Sequence, residues 1–218
     1  MFNHYLFPRT EISDQIINDQ RFYTIPDGQK FKSVTTRISE YLEKTGGHDY
    51  LHAWREAIGD EEANKQMEFA AVRGSIIHNL CEQYVMNNKF WKRGTMPFHL
   101  ESFLLLKKEL DNHLTMVYGI EYPLYSTRLK TAGRTDLIGQ WDKVPSIIDY
   151  KTSKKLKEEK NILGYFIQSA CYAIMLNELI GTNIKQVVIL ITVDHEPNAQ
   201  VFIKPVSDYK DLVEEVFG

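Results

Sequence analysis

Apolar and polar residues recur along this chain with two periods, and the change between them predicts the order of its elements. Recurrence near every 3.6 residues predicts helices over residues 34–58, 60–87, 98–113, 162–180 and 207–217. Alternation and short apolar runs predict strands over residues 116–127, 131–141, 146–150, 186–193 and 200–204. This order predicts an α/β protein of αβββαβ type, with a mixed sheet flanked by helices.

The segment before this core has a different pattern. Its first 32 residues contain six aromatic residues and a turn from Pro26 to Gly28, which predict short strands or a hairpin. Gly46-Gly47 then separates two short helices, the first of which has Ser33 as a possible N-cap. We expect one domain over residues 1–218, with an N-terminal elaboration over 1–59 and a core over 60–218.

Individual residues mark further helix boundaries and faces. Gly181 ends the helix 162–180, and Ser207 or Asp208 is expected to cap the C-terminal helix. Gly74 is a position where the helix 60–87 could kink or restart. Farther along that helix His78 borders an apolar stripe, which is expected to face the core and consists of Ile77, Cys81, Tyr84 and Val85.

Two charged residues end an apolar run in the middle of the chain. Asp149 and Lys151 are two positions apart, so on a strand they point to one face while Tyr150 points to the other. A carboxylate and an ammonium group at the end of a buried strand are costly unless they serve each other or a metal ion. The pair is therefore either a structural ion pair or part of a functional site.

Metal-assisted hydrolysis of a phosphodiester would use these residue types. The carboxylates of Asp136 and Asp149, together with a backbone carbonyl, are hard oxygen ligands that suit Mg²⁺. The ion would lower the pKa of a bound water molecule, and Lys151 would orient that water and stabilise the transition state. This chemistry makes the stretch from Glu121 to Thr152 the candidate site.

Composition and charge narrow the function classes. The chain has 218 residues, of which 43% are hydrophobic and 25% charged, with a formal net charge of −3, so no global basic excess indicates a nucleic-acid partner. Residues 128–160 nevertheless carry nine Lys or Arg against five Asp or Glu. This region either contacts a nucleic-acid backbone or is a solvated basic surface.

Cysteine usage and hydropathy indicate a reduced compartment and no membrane. Cys81 and Cys171 lie in apolar helical patterns and are expected to be buried and reduced. The longest strongly apolar run, residues 187–193, is too short to span a bilayer, and no targeting segment is evident. We therefore expect a soluble cytoplasmic protein.

Four motifs in a fixed order resemble those of a known family. They read RGSIIH at residues 73–78, GRTDLIG at 133–139, IDYKT at 148–152 and QSACY at 168–172. Together they resemble the PD-(D/E)XK nuclease superfamily in its RecB-like exonuclease branch. The segment SVTTRI at residues 33–38, followed by Trp54-Arg55 and the RGSIIH motif, is similar to the mitochondrial genome maintenance exonucleases and their phage-type relatives. The phage-type relatives make a phage source, and hence the cytoplasm of an infected bacterium, plausible.

The resemblance implies a restriction-endonuclease-like fold and a metal-dependent nuclease. Asp136, Asp149 and Lys151 would be the catalytic residues. Mg²⁺ or Mn²⁺ would be held by the two aspartates, the His78 imidazole and the Tyr150 carbonyl. An iron–sulfur cluster, which some RecB-like nucleases contain, is not expected, because the chain has two cysteines and the cluster needs four.

The resemblance also implies a substrate, which would be DNA, preferably a single strand with a free end. Its expected contacts with this chain are made by Arg73, Arg134, Thr152, Lys154, Gln168 and Tyr172. Glu121 matches an acidic position that many members keep on the first strand, although it could equally be an exposed strand glutamate.

Two other functions remain open from the sequence. The same core could belong to a structure-selective or restriction-type endonuclease, which would also cut circular DNA. It could also belong to an inactive DNA-binding module, although Asp136, Asp149 and Lys151 are all present, which argues against that alternative. Cleavage polarity, preference for DNA over RNA, the number of metal ions and the oligomeric state are likewise open.

Overall fold

A computed structural model describes residues 1–218 as one mixed α/β fold. The helices are α1 (Val34–Lys44), α2 (Asp49–Ile58), α3 (Asp60–Val85), α4 (Pro97–His113), α5 (Leu163–Ile180) and α6 (Lys210–Phe217). The strands are β1 (Ser13–Ile17), β2 (Gln20–Thr24), β3 (Lys30–Ser33), β4 (Leu114–Ser126), β5 (Thr131–Trp141), β6 (Val144–Ser153), β7 (Gln186–Val193) and β8 (Gln200–Pro205). The predicted fold class, a mixed sheet flanked by helices, is confirmed.

The eight strands form one sheet in the order β1-β2-β3-β5-β6-β7-β8, with β4 on the other side of β5. The pairs β3/β5 and β6/β7 are parallel, and the remaining pairs are antiparallel. The parallel β6/β7 pair is joined by a crossover through α5, as parallel neighbours require. The N-terminal strands β1 to β3 thus extend the same sheet that contains the catalytic candidates.

Strand β5 changes its neighbour on one side along its length. Its first residues, Thr131 and Ala132, pair with β3, whereas residues 137–141 pair with β6. On its other side β4 pairs with β5 from Thr131 to Trp141. The sheet therefore opens between β5 and β6 at residues 133–136, and we call this opening the fork.

Apolar residues on both faces of the central strands explain why β6 and β7 read as nearly continuous apolar runs. Ile147 and Ile189 face a core formed with α1, α5 and α6, whereas Ile148 and Leu190 face a second core formed with α3 and α4. Both faces exclude water, so alternating polar residues would be costly in this part of the sheet. The two cysteines are buried as predicted, Cys171 in the first core and Cys81 in the second.

Most predicted boundaries agree with the structure, and two details differ. The long helix α3 runs without interruption through Gly74. The expected cap of the C-terminal helix is wrong, because residues 206–209 form a 3₁₀ turn and α6 begins at Lys210 without a side-chain cap. The buried Val206 side chain and the bond from its amide to the Lys185 carbonyl (2.8 Å) hold this turn against the core. None of the helices is both long and apolar enough to cross a membrane.

Ser33 caps α1 as predicted, and its removal should cost stability. Its side-chain oxygen accepts a hydrogen bond from the Thr36 amide (3.0 Å), and Ser33 is buried. We expect Ser33→Ala to lower the free energy of unfolding by about 1 kcal/mol, because an amide of the first turn loses its partner. Urea unfolding followed by circular dichroism measures this change.

Ser39→Ala is the matched control, because Ser39 lies exposed in the interior of the same helix. Alanine is the better helix former there, so the control should be neutral or slightly stabilising. An equal loss in both variants would contradict the capping role.

Candidate active site

The fork brings the two predicted catalytic aspartates to adjacent strands. Leu137 and Ile148 form the last β5–β6 pair on this side, and Asp136 and Asp149 are the next residues of their strands. Instead of continuing the ladder, the Asp136 carboxylate accepts a hydrogen bond from the Tyr150 amide (2.8 Å). The Asp136 side chain thus bridges the fork and satisfies an amide that the separated strand leaves without a β5 partner.

Three side chains meet at the open end of the fork in a geometry that suits a cation. The ligand atoms of His78, Glu121 and Asp136 all lie within 4.8 Å of one another, and His78 Nδ1 lies 3.3 Å from an Asp136 oxygen. They come from α3, β4 and β5 respectively. Two carboxylates and one imidazole match the preferences of Mg²⁺ or Mn²⁺, so the donor set fits the divalent ion that the sequence predicted.

Glu121 reaches this cluster through an unusual backbone conformation. Its φ is +44°, in the left-handed region that a non-glycine residue seldom adopts, within the strand β4. The neighbouring residues Ile120 and Tyr122 consequently pack into opposite cores, although strand alternation would place them on the same face. Strain of this kind costs on the order of 1–3 kcal/mol and persists where the surrounding structure enforces it.

Lys151 and Asp149 form the second half of the site on β6. Their side chains point to the same face, as predicted, and Lys151 Nζ lies 2.5 Å from Asp149 Oδ2. On α5, Gln168 donates a hydrogen bond to Asp149 Oδ1 (3.2 Å), and the Tyr165 ring lies 5.0 Å from Lys151 Nζ. Tyr150 points to the opposite face, where its ring meets the edge of the His78 ring at 5.9 Å.

Burial and like charge raise the pKa values of two carboxyl groups. Burial, together with the neighbouring Asp136 charge, raises the pKa of Glu121 to about 7. Burial also raises the pKa of Asp149 to about 6, although Lys151 acts in the opposite direction. Without a cation the site therefore holds more negative charge than its surroundings solvate well, and a divalent ion would relieve this.

The remaining ionisable groups of the site stabilise one another's charged forms. Burial would raise the pKa of Asp136, but His78, Lys151 and the Tyr150 amide together outweigh burial and lower it. Burial would lower the pKa of His78, but Asp136 raises it. The pKa of Lys151 is likewise raised, because Asp149 and Asp136 outweigh its burial. Lys151 is therefore a cation at neutral pH.

A cleft of about 540 Å³ opens onto the cluster. One wall is the face of α3 that carries Gly74, Ser75 and His78, and the sheet contributes another wall with Arg21 of β2 and Arg134 of β5. Further lining residues are Tyr23, Ser33, Thr35, Ala71, Asn79, Glu82, Glu121, Gly133, Asp136, Gln168 and Tyr172. Gly133 matters for this shape, because a Cβ atom there would lie only 2.6 Å from the Tyr172 hydroxyl.

The predicted substrate contacts divide into two groups. Gln168, Tyr172 and Arg134 line the cleft, and the Arg134 side chain is 30% exposed. Thr152 lies farther along β6 and Lys154 directly after its end, both outside the cleft lining, and Lys154 Nζ donates to the Gln66 side chain (3.1 Å). They flank the site rather than line it.

Arg73 differs from its predicted role. It is only 3% exposed, and its guanidinium group forms an ion pair with Asp194 and donates to Ser102 Oγ (3.1 Å). A guanidinium group held in this way faces the interior between α3 and α4. The structure thus places Arg73 beyond the reach of a phosphate in the cleft, because its donors are directed into the protein.

Several cleft residues were missed by the sequence analysis. Arg21 and Thr35 reach the cleft because the short β3/β5 pairing brings β2 and the start of α1 next to β5. No local sequence pattern predicts this pairing. Glu82 could have been found, since it lies four residues after His78 and so on the same helix face.

Comparison with protein-family models identifies a family for this chain. A sequence model of the PD-(D/E)XK nuclease superfamily matches residues 48–216, which include α2 and every element from α3 to β8. No curated protein matches the chain.

Glu121 offers a test of the cation site that does not depend on enzymatic activity. Since its folded-state pKa is about 7 and its ordinary value 4.5, its contribution to stability declines as the pH rises between these values. We expect Glu121→Gln to be more stable than wild type in urea at pH 8 without a divalent cation, and the difference to shrink towards pH 5. Mn²⁺ at a thousand times its Kd should reverse the order, because it stabilises wild type by about 4.1 kcal/mol, more than the roughly 3.4 kcal/mol that a pKa rise of this size costs at pH 8.

Glu56→Gln controls for the loss of one negative charge, because Glu56 is exposed on α2. It should follow wild type with and without Mn²⁺. Equal stabilisation of wild type and Glu121→Gln by Mn²⁺ would exclude Glu121 as a ligand.

Proposed function

We propose, because this chain belongs to the PD-(D/E)XK nuclease superfamily, that it is a metal-dependent deoxyribonuclease that hydrolyses single-stranded DNA from a free end. The observation that carries the proposal is the fork, where Asp136, Asp149 and Lys151 converge beside the His78–Glu121–Asp136 cluster. Family membership supports the nuclease activity, the cleft supports a single strand as the substrate, and the exonuclease mode rests on the resemblance of the sequence motifs to RecB-like exonucleases.

Within this proposal each residue of the site has a chemical role. His78, Glu121 and Asp136 hold a divalent cation, and Asp149 completes the site from the neighbouring strand. The bound cation supplies a water of lowered pKa and neutralises charge on the phosphate. Lys151, anchored by Asp149, orients the attacking water and stabilises the negative charge that develops on the phosphate oxygens.

Gln168 and Tyr165 keep Lys151 and Asp149 in place for this role. Gln168 occupies one Asp149 oxygen, so the other remains for Lys151. The Tyr165 ring lies next to the ammonium group and restricts its motion. A nucleophile-orienting group must be held within a fraction of an ångström, and this supporting contact set provides that restraint.

The cleft supports a single strand as the substrate. Its volume of about 540 Å³ lies in the range of sites that enclose a small ligand, which favours a single strand over a bulkier duplex. The small residues Gly74 and Ser75 allow a close approach on one wall. Arg21 and Arg134 on the other wall supply positive charge for backbone phosphates.

Replacement of Lys151 tests the proposed chemistry. We expect Lys151→Ala to lower the rate of cleavage of end-labelled linear single-stranded DNA by about 10²–10³-fold, because a charge-stabilising donor is lost. EDTA should abolish the wild-type activity, and Mg²⁺ or Mn²⁺ should restore it. A closed circular single strand of matched sequence should remain intact.

Lys185→Ala is the matched control, because Lys185 is an exposed lysine in the loop before β7. It should cleave like wild type. Cleavage of the circular strand would identify an endonuclease, and DNA binding without cleavage under all metal conditions would indicate an inactive DNA-binding module.

Arg134→Ala should weaken binding of a labelled single strand in the presence of EDTA. One phosphate contact accounts for about 0.7 in the slope of log affinity against log salt concentration for a single strand, and that part of the slope should be lost. Fluorescence anisotropy at several salt concentrations measures it. Arg93→Ala, an exposed arginine between α3 and α4, should leave the slope unchanged, and an unchanged slope in Arg134→Ala would contradict the phosphate contact.

A further inference from the structure

The Arg73–Asp194 ion pair is a buried charge pair outside the cleft. The side chain of Arg73 is 4% exposed and that of Asp194 15% exposed. Arg73 also donates to Ser102 on α4, and its guanidinium carbon lies 4.9 Å from the centre of the Phe98 ring. Arg73 Nε has no hydrogen-bond partner within the protein, so one of the buried donors of this arginine is unpaired.

A contribution to the free energy of unfolding does not by itself explain why this buried ion pair is present. Removing two charges from water costs about as much as their attraction returns, and apolar residues of similar volume often stabilise a protein equally well or better. Buried ion pairs are better explained where they select one arrangement of the elements they join. The elements that Arg73 and Asp194 belong to show which arrangement this ion pair would select.

The pair connects the helix of His78 to the strand of Lys151. Arg73 precedes His78 by five residues on α3, a rise of about 7.5 Å. Asp194 follows β7, and its amide donates to the carbonyl of Ser153 (3.1 Å), which lies two residues beyond Lys151 on β6. A shift of α3 along the sheet would therefore break the ion pair and would also move His78 away from Asp136.

We infer that Arg73 and Asp194 are positioning residues that set the location of α3 on the sheet and thereby the reach of His78 to the cation site. This inference rests on the proposed function of that site. The contact between His78 Nδ1 and Asp136, at 3.3 Å, depends on α3, whereas Asp136 itself is fixed by the Tyr150 amide of β6. Of these two residues, only His78 thus depends on the position of α3.

The test uses a double variant in which both charges are replaced by apolar residues of similar size, Arg73→Met with Asp194→Leu. Removing one partner alone would leave a buried unpaired charge and could unfold the protein, which the double variant avoids. We expect its Tm to lie within about 4 °C of wild type. Its Mn²⁺ affinity, measured by electron paramagnetic resonance of the free ion, should be about tenfold weaker, the scale of losing an orienting partner of a ligand.

A second readout works without any cation. The ring signals of His78 in NMR spectra of the metal-free protein report its contact with Asp136 and with the Tyr150 ring. These signals should shift in the double variant. Val213→Ala is the control, because it creates a cavity in the core on the other face of the sheet. It should lower the Tm but leave both the Mn²⁺ affinity and the His78 signals unchanged.

The outcomes separate this inference from the proposed function. Wild-type Mn²⁺ affinity and unchanged His78 signals in the double variant would overturn the positioning role, whatever the activity of the enzyme. If wild type binds no Mn²⁺, the proposed cation site fails, and the His78 signals then decide the positioning role by themselves. A single variant Arg73→Lys, which keeps the charge, should recover part of the affinity if the pair acts through position.

Discussion

The change of partner along β5 is the constraint on which the site depends. A strand that paired with β6 along its whole length would bury its backbone in a continuous ladder and leave no place for a substrate. Because β5 instead pairs with β3 at Thr131 and Ala132 and with β6 from Leu137 onward, the sheet opens at residues 133–136. The opening leaves polar backbone groups that need partners, and the bond from the Tyr150 amide to Asp136 shows how one of them is satisfied.

Charge is concentrated at this opening, at an electrostatic cost. Glu121 and Asp149 have raised pKa values for the same physical reason, which is burial reinforced by the charge of Asp136. The left-handed conformation of Glu121 adds backbone strain to this electrostatic cost. Both costs are confined to the fork, while the two apolar cores on either side of the sheet supply the stability that maintains them.

Paired strands surround the fork on the sheet side, and the helix α3 covers another side. Lys151 and Asp149 lie on a strand that is paired with β7 in parallel and covered by α5. His78, by contrast, reaches the cluster from a helix whose position depends on side-chain packing and on the ion pair of Arg73 with Asp194. Side-chain contacts hold this 26-residue helix on the sheet, whereas backbone hydrogen bonds also hold a paired strand in register. A buried charge pair is therefore a means of fixing the position of the helix.

The element order, the fold class and the shared face of Asp149 and Lys151 are predictable from the amino-acid sequence, because they follow from local periodicity, caps and strand alternation, which are properties of neighbouring residues. The sequence also points to Asp136 and His78, through ordered motifs. Long-range contacts, by contrast, bring Glu121 to His78 and Asp136, place Arg21 at the cleft and turn Arg73 to the interior. These placements depend on the β3/β5 pairing, on the left-handed conformation of Glu121 and on the ion pair of Arg73 with Asp194. None of the three produces a periodic pattern in the sequence.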